Sequence, residues 1–464
     1  MLKRYVGDRA FYRRVLSVAL PIIFQNAITN FVSLLDNVMV GQLSTAQIAG
    51  VTIVNNNLLF VVTLCLYGGV AGAGIFTNQY YGCQNHEGIA QTFRYKLLVS
   101  LLLGGLAITL FSLADRFLIG LYLKGDGDPA LAADTMRYGR QYLKIMLIGL
   151  LPFALTNAYS SILRECGHPA VPMAAGFAAM GVNILLNYVL IFGHFGAPAM
   201  GVAGAAVATV VSRFAELGIV VIWAHTHPKK LPCIRLLFRS LRIPLPLLRG
   251  ILKRGAPILL NECLFSLGLA VLNQCYSVRG LTVVPALSIS TTVYDLGSVA
   301  FRSLGNAVGI LTGQMLGANL PKKEIFETNR KMNALCVSAG IVFGILVICV
   351  SGVVPKIYNT DDSVRQLATM FIIISALFMP MQGYIFPAYF TMCAGGKTLA
   401  TLIFDCGINW VISIPLAWLL TRLTGLSIVP IFLLCNSVDI LKAACWLRLV
   451  YKKKWIRNLT VLHK

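Results

Sequence analysis

Apolar residues run through this chain in blocks of about 20, separated by short polar connections. That length matches an α-helix crossing the hydrocarbon core of a bilayer, roughly 20 residues at 1.5 Å each. Twelve blocks fall at 15–38, 52–80, 97–118, 138–161, 171–193, 201–224, 251–276, 284–312, 333–355, 366–391, 398–420 and 427–449. They predict an all-α integral membrane protein with twelve transmembrane helices. The connection near 225–254 separates six helices from six, so the expected organisation is an N-lobe over 1–225, a basic linker over 226–250 and a C-lobe over 251–464.

Composition agrees with the pattern. Of 464 residues, 57% are hydrophobic and 12% charged, where a soluble domain carries about 25% charged residues. The formal net charge of +22 suggests nucleic acid only until it is mapped. Lys and Arg gather in alternate connections, and 225–254 alone holds Lys229, Lys230, Arg235, Arg239, Arg242, Arg249, Lys253 and Arg254 with no acid. This is the positive-inside asymmetry; it puts both termini in the cytoplasm and the basic charge against anionic lipid headgroups, with no role for nucleic acid. No signal-peptide cleavage pattern follows the first apolar block, and the twelve cysteines show no metal-ligand spacing.

The two halves resemble each other. ALPIIFQNAITNFVSLLDN (19–37) lies against GAPILLNECLFSLGLAVLN (255–273), pairing Pro21 with Pro257 and Asn26 with Glu262; QYYG (79–82) pairs with QMLG (314–317), and GVN (181–183) with GIN (407–409). Each half has an even number of crossings, so the repeats run in the same orientation. Transporters use such parallel repeats to rock two lobes about a central cavity.

Polar groups inside the blocks are the places to look for chemistry. Six acids fall there: Asp36, Glu216, Glu262, Asp295, Asp405 and Asp439. Arg213 precedes Glu216 by three residues and Lys442 follows Asp439 by three, spacings that suit structural ion pairs on one helix face. Asp295 and Arg302 lie two turns apart and suit a third. For Asp405, facing a lobe interior or a wet cavity is as good a reading as chemistry. Asp36 and Glu262 have no basic residue nearby on their own helices. Asp36 has no charged neighbour between Arg14 and Glu87, and its repeat counterpart is Leu272. A carboxylate in hydrocarbon costs roughly 2.5–3.5 kcal/mol even on a lenient scale, so Asp36 must be protonated, hold a cation, or pair with another helix. Asn183 and Asn187 share a face of the fifth helix. They suit interhelical glue or carbonyl ligands for a hard cation, and the residues alone leave both readings open. Thr209 adds a hydroxyl on the sixth.

Taken in order, several segments resemble the MATE (multidrug and toxic compound extrusion) transporters, in the larger group that includes lipid-linked precursor flippases. They are Pro21 followed by Asp36 and VMVGQL, NQYYG (78–82), ILRECGHPAVPM (162–173), NILLNYVLIFGHFGAPAMGVAGAAVAT (183–209), GQMLGA (313–318) and WVISIPLAWLL (410–420). The resemblance implies a secondary active exporter that works by alternating access, in which amphipathic, cationic organic compounds leave as Na⁺ or H⁺ enters. It implies a prokaryotic inner-membrane location, a monomer surrounded by lipid, and no cofactor beyond the coupling ion. It maps an N-lobe cation site onto Asp36, Asn183, Asn187 and Thr209, and a helix-one bend onto Pro21. Members of that branch often carry Asp where this chain has Asn187, which leaves Asp36 as the only acid and shifts the preference toward Na⁺. Glu262, Gln25, Asn26, Tyr294 and Asp405 are secondary candidates for substrate or cation. A second branch pairs a helix-seven Glu with a helix-ten Asp, but helix ten here has no acid over 368–393.

Two rivals remain. A flippase for a lipid-linked sugar or phosphate needs basic groups to meet an anionic cargo. An intramembrane enzyme needs a ligand set or nucleophile; His225 and His227 have no Cys or acid beside them, and no nucleophile motif or phosphate-binding loop stands out. The expectation is a transporter, not an enzyme.

Overall fold

A computed structural model describes residues 4–123, 129–240, 242–280, 282–358 and 360–460, with the side chains of Leu34, Asn37 and Val38 left aside. The long helices are α1 (Arg9–Val40), α2 (Thr45–Gly82), α3 (His86–Gly120), α4 in two pieces (Pro129–Ile148 and Leu150–Glu165), α5 (Ala170–Phe192) and α6 (Val202–Thr226). They continue with α7 (Leu245–Ser277), α8 (Val283–Gly317), α9 (Lys322–Val350), α10 (Asp362–Ala394), α11 (Thr398–Leu423) and α12 (Ile428–Tyr451). Eleven are single helices long and apolar enough to cross a membrane, and the two pieces of α4, bent by 45°, make a twelfth. No strand occurs among the described residues. The chain is a multi-pass, all-helical membrane protein, as the apolar blocks predict.

Helix ends run past the blocks because polar helix formers prolong them. In α9 the turns KKEIFETNRK precede the apolar stretch and are already helical. The apolar surface faces outward as well as inward. On α3, Leu102, Leu106, Leu113 and Phe117 are 63–83% exposed along one face, a stripe that lipid covers and water would not tolerate.

The chain divides into two compact units: Phe24–Thr77 with Asn85–Ile251, and Leu252–Lys464 with Met1–Ile23 and Asn78–Gln84. The division cuts α1 between Ile23 and Phe24, just beyond Pro21.

In the first unit Val54, Leu66, Ile119, Leu143, Ala154 and Ala206 are buried in one apolar cluster. The α5–α6 hairpin is drawn tight by glycine. Gly193 ends α5 at φ +76°, Met200 N donates to Leu190 O (2.8 Å), and a Cβ on Gly204 would sit 2.5 Å from that same oxygen. Only a residue without a side chain lets the two backbones approach this closely.

The second unit has its own cluster, including Ala286, Phe301, Ala368, Phe371, Met379 and Ile431. Here the repeated motifs QYYG and QMLG meet reciprocally. A Cβ on Gly82 would strike Gln314 O, and one on Gly317 would strike Gln79 O. Gln79 is fully buried; its Nε2 donates to Ala394 O (2.9 Å) and its Oε1 accepts from Leu459 N (2.6 Å).

Candidate functional site

The first unit brings together three of the residues that the sequence singles out, Asp36, Asn183 and Asn187. Asn187 Nδ2 donates to Asp36 Oδ1 (2.6 Å) and to Asn183 Oδ1 (3.1 Å). Asn183 and Asn187 are each 1% exposed, one turn apart on the inward face of α5. Both hydrogens of Asn187 are thereby used. Asn187 Oδ1 and Asn183 Nδ2 have no partner among the described residues. Each such buried polar atom costs about 1–3 kcal/mol. They mark a place where an ion, a proton or water completes the bonding.

Thr209 stands on α6, where its hydroxyl donates to Ala205 O (3.0 Å) of its own helix and not to Asp36. One turn further, Arg213 interacts electrostatically with Asp36. Its Nη1 reaches Gly149 O (3.5 Å), and its guanidinium lies 4.8 Å over the Phe153 ring. Gly149 marks the break in α4; a Cβ there would lie 2.9 Å from Val210 Cγ2, so glycine lets α4 and α6 close around Arg213. Asn55 Nδ2 donates to Tyr142 OH (2.9 Å) from a π-helical stretch of α2, Ile53–Leu59. Wide turns of this kind turn a side chain off the regular register and concentrate at functional sites.

The sequence reading associates Arg213 with Glu216 and leaves Asp36 to a proton, a cation or another helix; Arg213 acts electrostatically on both carboxylates. The i,i+3 spacing tells which residues share a face, not what the face opposes. Glu216 lies in the field of both Arg213 and Arg164, while the Arg213 guanidinium touches a backbone carbonyl and an aromatic ring.

Elsewhere on α1, Pro21 sits inside the continuous helix. Gln25 Oε1 accepts from Arg164 Nη1 (3.1 Å), and Asn26 is exposed. In the second unit, Asn261 Nδ2 donates to Asp405 Oδ2 (3.1 Å), and Lys442 Nζ is 3.7 Å from Asp405 Oδ1. The ion-pair contact of Lys442 is thus with Asp405; Asp439, whose Oδ2 accepts from Gln382 Nε2 (2.5 Å), interacts with Lys442 electrostatically. Glu262 interacts electrostatically with Asp405. The third spacing holds: Arg302 Nη1 is 3.9 Å from Asp295 Oδ1. Tyr294 packs on the core of this unit. Beside it, α7 and α8 line a cleft of about 620 Å³ with Asn273, Ser277, Ser288, Thr291, Thr292 and Asp295, a volume suited to a small organic molecule.

One buried ion pair escapes the sequence reading. Lys96, fully buried, bonds Glu165 Oε2 and Ser161 Oγ (2.8 Å), and Ser161 Oγ donates to Glu165 Oε1 (2.7 Å). Both charges fall in predicted connections, where a charge raises no question. The structure shows how the pair is housed: a Cβ at Gly74 would lie 2.6 Å from Glu165 Oε1, so a glycine opens room for the carboxylate.

A profile described as MatE matches residues 21–189 and 257–419. A probable multidrug resistance protein NorM of Thermotoga maritima is 23% identical over 414 residues, covering 88% of this chain and 86% of the relative. Multidrug resistance protein PmpM of Pseudomonas aeruginosa is 27% identical over 431 residues, covering 90% and 85%. Among solved structures, an outward-facing multidrug resistance MATE family transporter of the MOP superfamily superposes with TM-score 0.85 at 17% identity, covering 97% of this chain and 98% of that one. A MOP superfamily transporter from Pyrococcus furiosus gives 0.83 at 18% with the same coverage. At these identities the superpositions speak for the fold alone.

Proposed function

The chain belongs to the MatE family of transporters, and we propose that it is a multidrug exporter that exchanges amphipathic, cationic organic compounds for Na⁺ or H⁺ by alternating access, with Asp36 as the coupling carboxylate. The observation that carries this reading is the bond from Asn187 to Asp36, beside two unpartnered amide atoms. Relatives named as multidrug resistance proteins support the cargo class.

The residues suit both ions by different chemistry. Asp36, the free Asn187 Oδ1 and the lone pairs of Thr209 are oxygen donors of the kind a hard cation takes. A proton on Asp36 would instead make the carboxyl a donor for Asn187 Oδ1. Either event cancels the charge that attracts Arg213, and that loss is the common output. It loosens α1 from α6 and biases α1 about Pro21, where the missing backbone N–H already interrupts the helical ladder. The ion drives transport only as far as its affinity differs between the two states. Asn187 cannot take up a proton near neutral pH, which favours Na⁺. We place both termini in the cytoplasm, from the distribution of Lys and Arg, and a monomer in the bacterial inner membrane.

The test is export of a fluorescent organic cation from cells that carry Asp36→Asn. Export that keeps its rate and its ion dependence would end this reading. A second reading, a flippase for an anionic lipid-linked precursor, has one observation behind it. Arg164 and Arg213 bond neutral acceptors, Gln25 Oε1 and Gly149 O, and act on Glu216 without a bond to it, so two guanidinium groups stand where an anionic cargo would need them. Translocation of such a lipid, insensitive to the ion gradients, would favour it.

A further inference from the structure

The second unit contains a buried charge cluster that the ion-coupling reading does not use. Asp405 stands on a π-helical stretch of α11, Leu402–Gly407, which turns its carboxylate toward α7 and α12. One oxygen, Oδ2, accepts from Asn261 Nδ2 (3.1 Å); the other, Oδ1, faces Lys442 Nζ at 3.7 Å. Lys442 is 4% exposed and Asn261 2%. Asn261 Oδ1 has no hydrogen-bond partner among the described residues. Glu262, the next residue, adds a second negative charge acting on Asp405, and the Lys442 ammonium lies 5.8 Å over the Phe265 ring.

This is the composition of a monovalent-cation site: a carboxylate, an unsatisfied amide oxygen, a neighbouring acid and an aromatic face. Its cation is on the chain. We propose that Lys442 is a tethered cation filling, in the second unit, a site for a small monovalent cation built from Asp405 and Asn261. The ammonium occupies the carboxylate and holds α7, α11 and α12 together. An ion from solution finds the site taken, at any gradient. The consequence for transport rests on the Asp36 reading: coupling is confined to the first unit, where Arg213 acts on Asp36 from a distance and does not occupy the carboxylate as Lys442 occupies Asp405. The cation site itself does not depend on that reading.

The experiment uses the purified full-length protein in detergent, in an Asp36→Asn background, so that whatever Asp36 binds plays no part. Thermal unfolding is followed against Na⁺, methylammonium and choline at constant ionic strength. With Lys442 present, the three salts give the same midpoint. With Lys442→Gln added, Na⁺ and methylammonium raise the midpoint by several degrees in a saturable way, whereas choline, too bulky for the site, does not. Adding Asp405→Asn abolishes the rise. Lys442→Met with Asp405→Asn removes both charges and serves as the folding control, stable and blind to ions. The proposal is overturned if Lys442→Gln responds to no ion, or if its response survives Asp405→Asn. It is equally overturned if Lys442→Gln cannot be purified even with methylammonium present while the doubly neutral control can.

Discussion

Removing the ammonium of Lys96 tests the energetics of this membrane interior most sharply. Lys96 is fully buried and its partner Glu165 is nearly so, at 9% side-chain exposure. Taking away one member of such a pair leaves a carboxylate in low dielectric without its ammonium, the Ser161 hydroxyl still donating to it. Breaking a buried pair in this way costs about 3–5 kcal/mol, whereas replacing both members by apolar groups of similar volume is often neutral or stabilising. At about 2.1 cal/mol/K per residue, the unfolding entropy of a 464-residue chain is about 1 kcal/mol/K, so Lys96→Met lowers the melting temperature by about 3–5 °C. Lys96→Met with Glu165→Met recovers most of that loss. Fluorescence-monitored unfolding of the purified variants in one detergent reads both. A single variant that melts with the wild type, or a double variant at least as unstable as the two singles summed, refutes the reasoning.

Gly204→Val drives side-chain carbon into Leu190 O; the expected result is a loss of about 2 kcal/mol or more, of the size that overpacking causes, read as a lower melting temperature and lower yield of folded protein. Tyr142→Phe removes the acceptor for Asn55 Nδ2 and costs about 1 kcal/mol, a change that the same unfolding measurement detects. Pro21→Ala restores the N–H missing from α1, so export should fall severalfold while any stabilisation by Na⁺ persists. Equal loss of both would place Pro21 at the ion site rather than at a bend.

How much of this was legible in the sequence varies with the range of the interaction. Helix number and position follow from local hydropathy, which hydrocarbon imposes directly, and each predicted block overlies a helix. The α5–α6 segment could be recognised because its glycines and alanines have one job, close backbone approach, and few other residues can do it. The grouping of Asp36, Asn183 and Asn187 entered through family resemblance and helix-face spacing. Charge partners were less legible. Arg213 and Lys442 each had an acid three residues away on the same helix, yet their closest contacts come from other helices. Side chains on one face point outward from the axis and meet whatever packs there; one turn of spacing cannot say what that is. The breaks that position them, the α4 bend at Gly149 and the π stretches of α2 and α11, leave no clear mark in an apolar run. Lys96 and Glu165 were passed over because connections are expected to be wet, and here the ends of α3 and α4 are buried.

The claim that Asp36 couples ion entry to export is tested most directly in proteoliposomes, with Na⁺ and H⁺ gradients imposed separately on the wild type and on Asp36→Asn. The account predicts that one of the two gradients drives transport of a fluorescent organic cation by the wild type, and that Asp36→Asn, though folded and able to bind the cargo, responds to neither. Gradient-driven transport by Asp36→Asn at the wild-type rate would contradict it.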